Sequence, residues 1–230
     1  MNLREDTALN EPAQTRVYET LRARIIAFDY VPGKRLSRPE LAEQFQVSAS
    51  PLREALQRLE QDGLVATFRQ SRTVVTHIDP GLLKQAHFFR TGIECEVVNA
   101  LASAPDAVAL KKIAAIIRMQ KVLVQDVDQI ELFRNLDEDF HRELFEAAGQ
   151  GTLHRTVINR SSQMARLRTL DLPRAGKLRE VVEAHEAILD AILAGERHAA
   201  ADAMRAHLSG TIARFPEIMA QFPDYFVSAK

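Results

Sequence analysis

The sequence predicts a mainly α protein in two parts, an N-terminal winged helix-turn-helix followed by a C-terminal antiparallel all-α helical bundle. Three observations lead there. A sharply bounded helix over Val47 to Gly63 is preceded by two shorter helical patterns. Two β-prone segments follow it, and from Asp79-Pro80 onward helical periodicity replaces β character altogether.

Taken in order, Met1 to Ala13 is polar and reads as a tail. Val17, Leu21, Ile25 and Phe28 recur at helical spacing over Gln14 to Phe28, and Pro32-Gly33 then forces a turn. Ser37 with Glu40 forms a capping box that opens a short helix through Leu41, Ala42 and Phe45. In the next helix Leu52, Ala55, Leu56 and Leu59 make a narrow apolar stripe, leaving Arg53, Glu54, Gln57, Arg58 and Glu60 on the free face. Ser48 or Ser50 caps its start, Pro51 suits its first turn, and Gly63 ends it. Leu64 to Phe68 and Thr73 to Ile78 form a hairpin around Arg69-Gln70-Ser71-Arg72. The expected organisation is a tail at 1–13, a winged domain at 14–78, a linker at 79–81, a helical domain at 82–222 and a tail at 223–230. Helices are expected over Leu82 to Leu101, Pro105 to Gln125, Ile130 to Ala148, Leu153 to Leu170, Lys177 to Leu193 and Arg197 to Met219.

Composition narrows the function. With 30 Lys+Arg against 31 Asp+Glu, net charge lends no support to nucleic-acid binding, so such a role must rest on local pattern. The single cysteine, Cys95, leaves no intramolecular disulfide and suits a reducing cytoplasm. No apolar run approaches membrane-spanning length, and the charged N-terminus lacks the apolar centre of a secretory signal, so a soluble, cytoplasmic protein without a membrane partner is expected.

The N-terminal third resembles the GntR-type bacterial transcription regulators. The carrying residues are Leu21-Arg22 to Ile25, Pro32-Gly33 to Leu36, Leu41-Ala42, Val47-Ser48, Pro51, Arg53-Glu54-Ala55-Leu56 and Gly63-Leu64-Val65. The resemblance implies a homodimer on double-stranded operator DNA, contacted through Arg38, Ser48, Ser50, Arg53 and Arg58, with Arg69 and Arg72 on the wing. A helix N-terminus attracts phosphate, and a guanidinium reads guanine in the major groove. Ala49 stands where the family usually has arginine, and Gln70 where the wing tip usually has glycine, so a sequence preference departing from the family average is expected.

In the helical part, Asp137 and His141 lie four apart on one helix face, where they could share an ion or form a plain surface pair. His185 and His207 each sit among apolar neighbours in amphipathic helices. A buried imidazole needs a partner, and three could share one metal. These positions resemble the FCD-type effector domain of the FadR branch, whose metal-binding members supply D-x-x-F-H and one histidine from each of two later helices. Asp137, His141, His185 and His207 match all four. The resemblance implies one divalent metal per chain, with zinc, nickel and manganese all suited to the donor set, and a small carboxylate effector. Arg90 and Glu94 match an R-x-x-x-E pair that meets an anion or forms an i,i+4 salt bridge. His87, His154 and His198 match no ligand position and read as surface or packing residues.

Two functions compete at this level. One is a ligand-responsive transcriptional regulator, a repressor binding a short palindrome as a dimer. The other is a metal-dependent hydrolase with an N-terminal DNA-targeting domain; Glu138, Asp139 and Glu186 would then be the nearby acids, but their positions around the helices should point them away from the ion.

Overall fold

The computed structural model describes residues 12–68 and 72–227. The chain divides into two compact units, Met1–Leu82 with Phe222–Lys230, and Leu83–Gln221. Most of the expected N-terminal tail, together with Arg69, Gln70 and residues 228–230, lies outside the described residues.

In the first unit, α1 (Ala13–Ile26) sets fully buried Val17, Leu21 and Ile25 against Leu52, Ala55, Leu56 and Leu59 of α3 (Ala49–Gln61). Those α3 residues are the apolar stripe expected from the spacing. Gly33, at φ +80°, makes the turn after α1 in a conformation that side-chain-bearing residues seldom adopt. The hydroxyl of Ser37 accepts the Glu40 backbone N–H at 3.5 Å, so Ser37 caps α2 (Arg38–Phe45) where its sequence places it. Two-residue β1 (Arg35–Leu36) is too short to leave a periodic signal and was not expected. It pairs antiparallel with β3 (Arg72–Val75), which pairs in turn with β2 (Val65–Phe68), so β3 is central. Chain segment 223–227, expected as part of a tail, instead forms a short 3-10 turn at Pro223–Tyr225 and a bridge from Phe226 to Ile78. Phe226 is buried, which explains the attachment.

The second unit is helical. It contains α4 (Pro80–Ser103, whose first residues belong to the first unit), α5 (Lys111–Leu123), α6 (Ile130–Ala147), α7 (Gly151–Arg160), α8 (Ser162–Asp171), α9 (Lys177–Leu193), α10 (Arg197–Ala213) and α11 (Phe215–Gln221). Pro80, expected in a linker, starts α4, as proline can at a helix's first position. Three expected boundaries move for local reasons. The Asp106 carboxylate accepts the Val108 and Ala109 N–H groups, a turn that delays α5 to Lys111. Asn159-Arg160-Ser161-Ser162 holds weak helix formers, and the expected single helix over 153–170 divides there. Pro216 cannot supply the N–H that would continue α10, so α11 begins anew. The core joins Val98, Ile113, Phe133, Phe140, Phe145, Ile188, Ile192 and Met204 from five helices.

Candidate metal centre and adjoining cavity

Asp137, His141, His185 and His207 come together from α6, α9 and α10, with one ligand-type atom from each lying within 4.8 Å of all the others. His207 Nε2 is 3.3 Å from His141 Nε2 and 3.4 Å from His185 Nε2, and His185 Nε2 is 3.5 Å from Asp137 Oδ1. Nitrogen ligands about 2.0–2.1 Å from one ion fall roughly 3.0–3.4 Å apart. The first three residues are buried and His207 is half-buried.

Surrounding residues fix which atoms face the centre. Gln120 Oε1 lies 2.9 Å from His185 Nδ1, so a proton held there leaves the Nε2 lone pair pointing inward. Phe140 stacks flat on the same imidazole, centroids 3.6 Å apart and planes 8° from parallel. Glu94 Oε2 is 2.5 Å from His141 Nδ1, and its other oxygen pairs with Arg90 Nε. Carboxylate and amide partners of this kind orient metal-ligating histidines and raise their basicity.

Electrostatics favour the metal-binding protonation states. Burial would raise Asp137, but Arg168, 2.8 Å from its Oδ2, and the three histidines hold it well below the usual carboxylate range. Burial and His207 push His185 well down; burial and His141 lower His207 to about 3. Burial would likewise raise Glu94, but Arg90 and His141 keep it ionised. The donor set therefore joins an ionised carboxylate, Asp137, to the two imidazoles that burial keeps neutral, His185 and His207, with His141 Nε2 beside them. These residues fit a divalent first-row ion.

A cavity of about 320 Å³ adjoins the centre, with Asp137 and His207 in its wall. Arg90, Arg134, Arg168 and Glu138 also line it, together with apolar residues such as Met164, Val181 and Leu208. Burial first and the neighbouring Arg90 guanidinium second lower Arg168, against the opposing pull of Asp137, Glu138 and Glu94. Arg90 and Glu94 form the i,i+4 ion pair that was one of the two expectations; Arg90 also borders the cavity, whereas Glu94 is not in its wall and also meets His141.

Glu138 lines the cavity but is not part of the four-residue cluster, while Asp139 pairs with Arg142 and Glu186 with Lys121. His87 also borders the cavity, and burial and Arg90 lower it. His154 is a buried packing residue whose ring lies 5.3 Å from Phe145, lowered to about 4 by burial first and His141 second. His198 is exposed.

Gln120, Arg168 and Lys177 were missed by sequence reasoning although a signal existed. Gln120 follows Ile113 and Ile117 on the buried stripe of α5; Arg168 continues Met164 and Ala165 on α8; Lys177 precedes Val181 and His185 on α9. A polar residue inside an apolar stripe is the informative kind.

On the N-terminal unit, Ser48, Ser50 and Arg53 are exposed around the start of α3, with Ser50 Oγ 3.3 Å from Glu54 Oε1. Ser48 precedes the helix but makes no side-chain cap. Arg58 is turned to packing, its guanidinium 3.8 Å from the Tyr18 ring centroid. Arg38 reaches Thr73 Oγ1 at 3.4 Å, and exposed Arg72 lies over Phe68. Among the described residues, no helix is long and apolar enough to cross a membrane.

Comparison with known proteins places these two units. Residues 13–75 match the family model described as "Bacterial regulatory proteins, gntR family", and residues 85–210 match "FCD domain". An uncharacterized HTH-type transcriptional regulator in an unstable DNA locus of Streptomyces ambofaciens is 32% identical over 213 residues, 92% of this chain and 89% of that protein. The HTH-type transcriptional repressor RspR of Escherichia coli is 26% identical, covering 96% of this chain and 97% of its own. Among solved structures, E. coli McbR/YncC superposes with a TM-score of 0.77 at 18% identity over 92% of this chain and 99% of that one, a likeness of fold. A putative GntR regulator from Rhodococcus sp. RHA1 gives 0.68 at 24% identity, over 90% and 97%.

Proposed function

The chain belongs to the GntR family of bacterial regulatory proteins and carries an FCD domain, and from that premise we propose a dimeric repressor that binds a short palindromic operator and responds to a small carboxylate. It is a transcriptional regulator and not an enzyme, so the hydrolase alternative is set aside. The FadR branch is consistent with the FCD domain.

One observation carries the proposal: a buried Asp-His-His-His cluster opens onto a cavity whose wall also holds Arg90 and Arg168. Asp137, His141, His185 and His207 would hold one divalent ion per chain, with zinc, nickel and manganese as the candidates. Such an ion would supply a Lewis-acid positive centre for a carboxylate oxygen. The two guanidiniums orient the carboxylate, and the apolar wall excludes water around its hydrocarbon part. Exposed Ser48, Ser50 and Arg53 present the start of α3 to DNA, with Arg72 on the wing.

The cluster joins α6, α9 and α10, and its partner Glu94 lies on α4. A carboxylate that binds one arrangement of these helices more tightly than another changes DNA affinity by that difference and no more. Release from DNA is the proposed direction. The test is operator binding by the full-length protein, followed by fluorescence anisotropy and titrated with organic acids with and without chelator. Release by an acid only in the metal-replete protein supports the reading; equal acid binding and equal release after chelation make the metal structural and overturn the mechanism.

A further inference from the structure

The cavity has a second polar end that the metal cluster does not explain. Lys177, on α9, lines it with its side chain 9% exposed, and Gly210 and Thr211 of α10 line it beside Lys177. Lys177 Nζ is 3.1 Å from Asp171 Oδ2, while Glu180 stands at 3.9 Å and is paired with Arg174. An ammonium carries three N–H donors. Asp171 takes one and also accepts from Thr211 Oγ1 at 3.2 Å and Arg214 Nε at 3.0 Å, so it is satisfied without Lys177's remaining donors.

Gly210 gives the independent indication. Glycine inside a helix is destabilising relative to alanine, so its presence in α10 asks for a reason. A Cβ built there would meet Lys177 Nζ at 3.7 Å as its nearest neighbour, an ordinary contact distance. A methyl at 210 would be tolerated by the fold but would take up cavity wall in contact with the ammonium, which glycine leaves to the cavity.

This end lies apart from the metal centre. Lys177 and His185 are eight residues apart on α9, about 12 Å along the helix axis. Between them the wall carries apolar Val181, Ala184 and Leu208, with Glu180, paired to Arg174, beside Lys177.

Resting on the reading of this cavity as a carboxylate site, we propose that its ligand is an extended dicarboxylate. One carboxylate sits by Arg90, Arg168 and the metal cluster, the methylene chain lies along the apolar wall, and the second carboxylate takes the donors of Lys177 in the space left by Gly210. Lys177 and Gly210 thereby select ligand length and the second charge.

Calorimetric titration of the metal-replete full chain with malonate, succinate, glutarate, adipate, pimelate and suberate, each against the monocarboxylate of equal carbon number, tests this. One diacid length should bind at least tenfold more tightly than its monoacid, and Gly210→Ala and Lys177→Met should each abolish that preference while leaving monoacid affinity within threefold. Gly210→Ala serves if Lys177→Met does not fold, since alanine favours the helix. Monoacids binding as tightly as diacids at every length, or a preference that survives Gly210→Ala, overturns the second subsite and leaves the carboxylate reading standing. No binding by either series overturns both.

Discussion

Gln120 Oε1 lies 2.9 Å from Nδ1 of His185, both side chains fully buried, and this contact decides which nitrogen of His185 faces the metal cluster. Gln120→Leu keeps the volume and removes the acceptor, stranding a buried N–H. Metal affinity should fall about 10–100-fold, as for other partners of ligating histidines, and Gln120→Glu should retain affinity. Competition with a fluorescent chelator measures both; unchanged affinity in Gln120→Leu would show that Phe140 stacking alone orients the ring.

Acidification should destabilise the metal-free protein in a defined window. An unfolded imidazole titrates near 6.5, whereas burial and His141 lower His207 to about 3 in the fold, and His185 is pushed down in the same direction by burial and His207. Below 6.5 the unfolded chain binds protons that the folded chain does not, so stability rises with pH across the window and is lost as pH falls from about 6.5 toward 3. The expected loss is up to about 1.4 kcal/mol per pH unit per histidine. Thermal melts in chelator from pH 7 to 4.5 check it, and a Tm independent of pH over that range contradicts it.

Arg53 and Arg58, five residues apart on α3, should behave oppositely. Exposed Arg53 is free to meet DNA, whereas Arg58 lies over Tyr18. Arg53→Ala should cost about 1–3 kcal/mol of operator affinity with little change in Tm. Arg58→Ala should instead lower stability by about 0.5–1 kcal/mol, the scale of an exposed cation–π contact. Anisotropy and melting on the same preparations separate the two, and undiminished operator affinity and selectivity in Arg53→Ala would remove that residue from the interface.

The fold was legible where a pattern repeats. Leu52, Ala55, Leu56 and Leu59 announce the buried face of α3, and the resemblance carried by D-x-x-F-H points to Asp137 and His141 of the four-residue cluster. What stayed hidden depends on packing between segments distant in sequence. Gln120 touches His185 across 65 residues, so α5 alone gives its polarity but not its partner. The i,i+4 spacing reveals the Arg90–Glu94 ion pair but cannot reveal the second contact of Glu94, with His141 on another helix. Strand β1 escaped because two residues carry no period. Residues 223–227 looked like a tail because the bridge that holds them involves Ile78, far upstream.

The central claim is a divalent ion held by Asp137, His141, His185 and His207, and elemental analysis of the purified full-length protein tests it most directly. About one divalent ion per chain is expected in wild type, close to none in His185→Ala, with a Tm that falls on chelation because bound metal adds its binding free energy to the folded state. Wild-type protein prepared without chelator that contains no stoichiometric metal, takes up none on dialysis against zinc, nickel or manganese, and melts identically with and without chelator would contradict it.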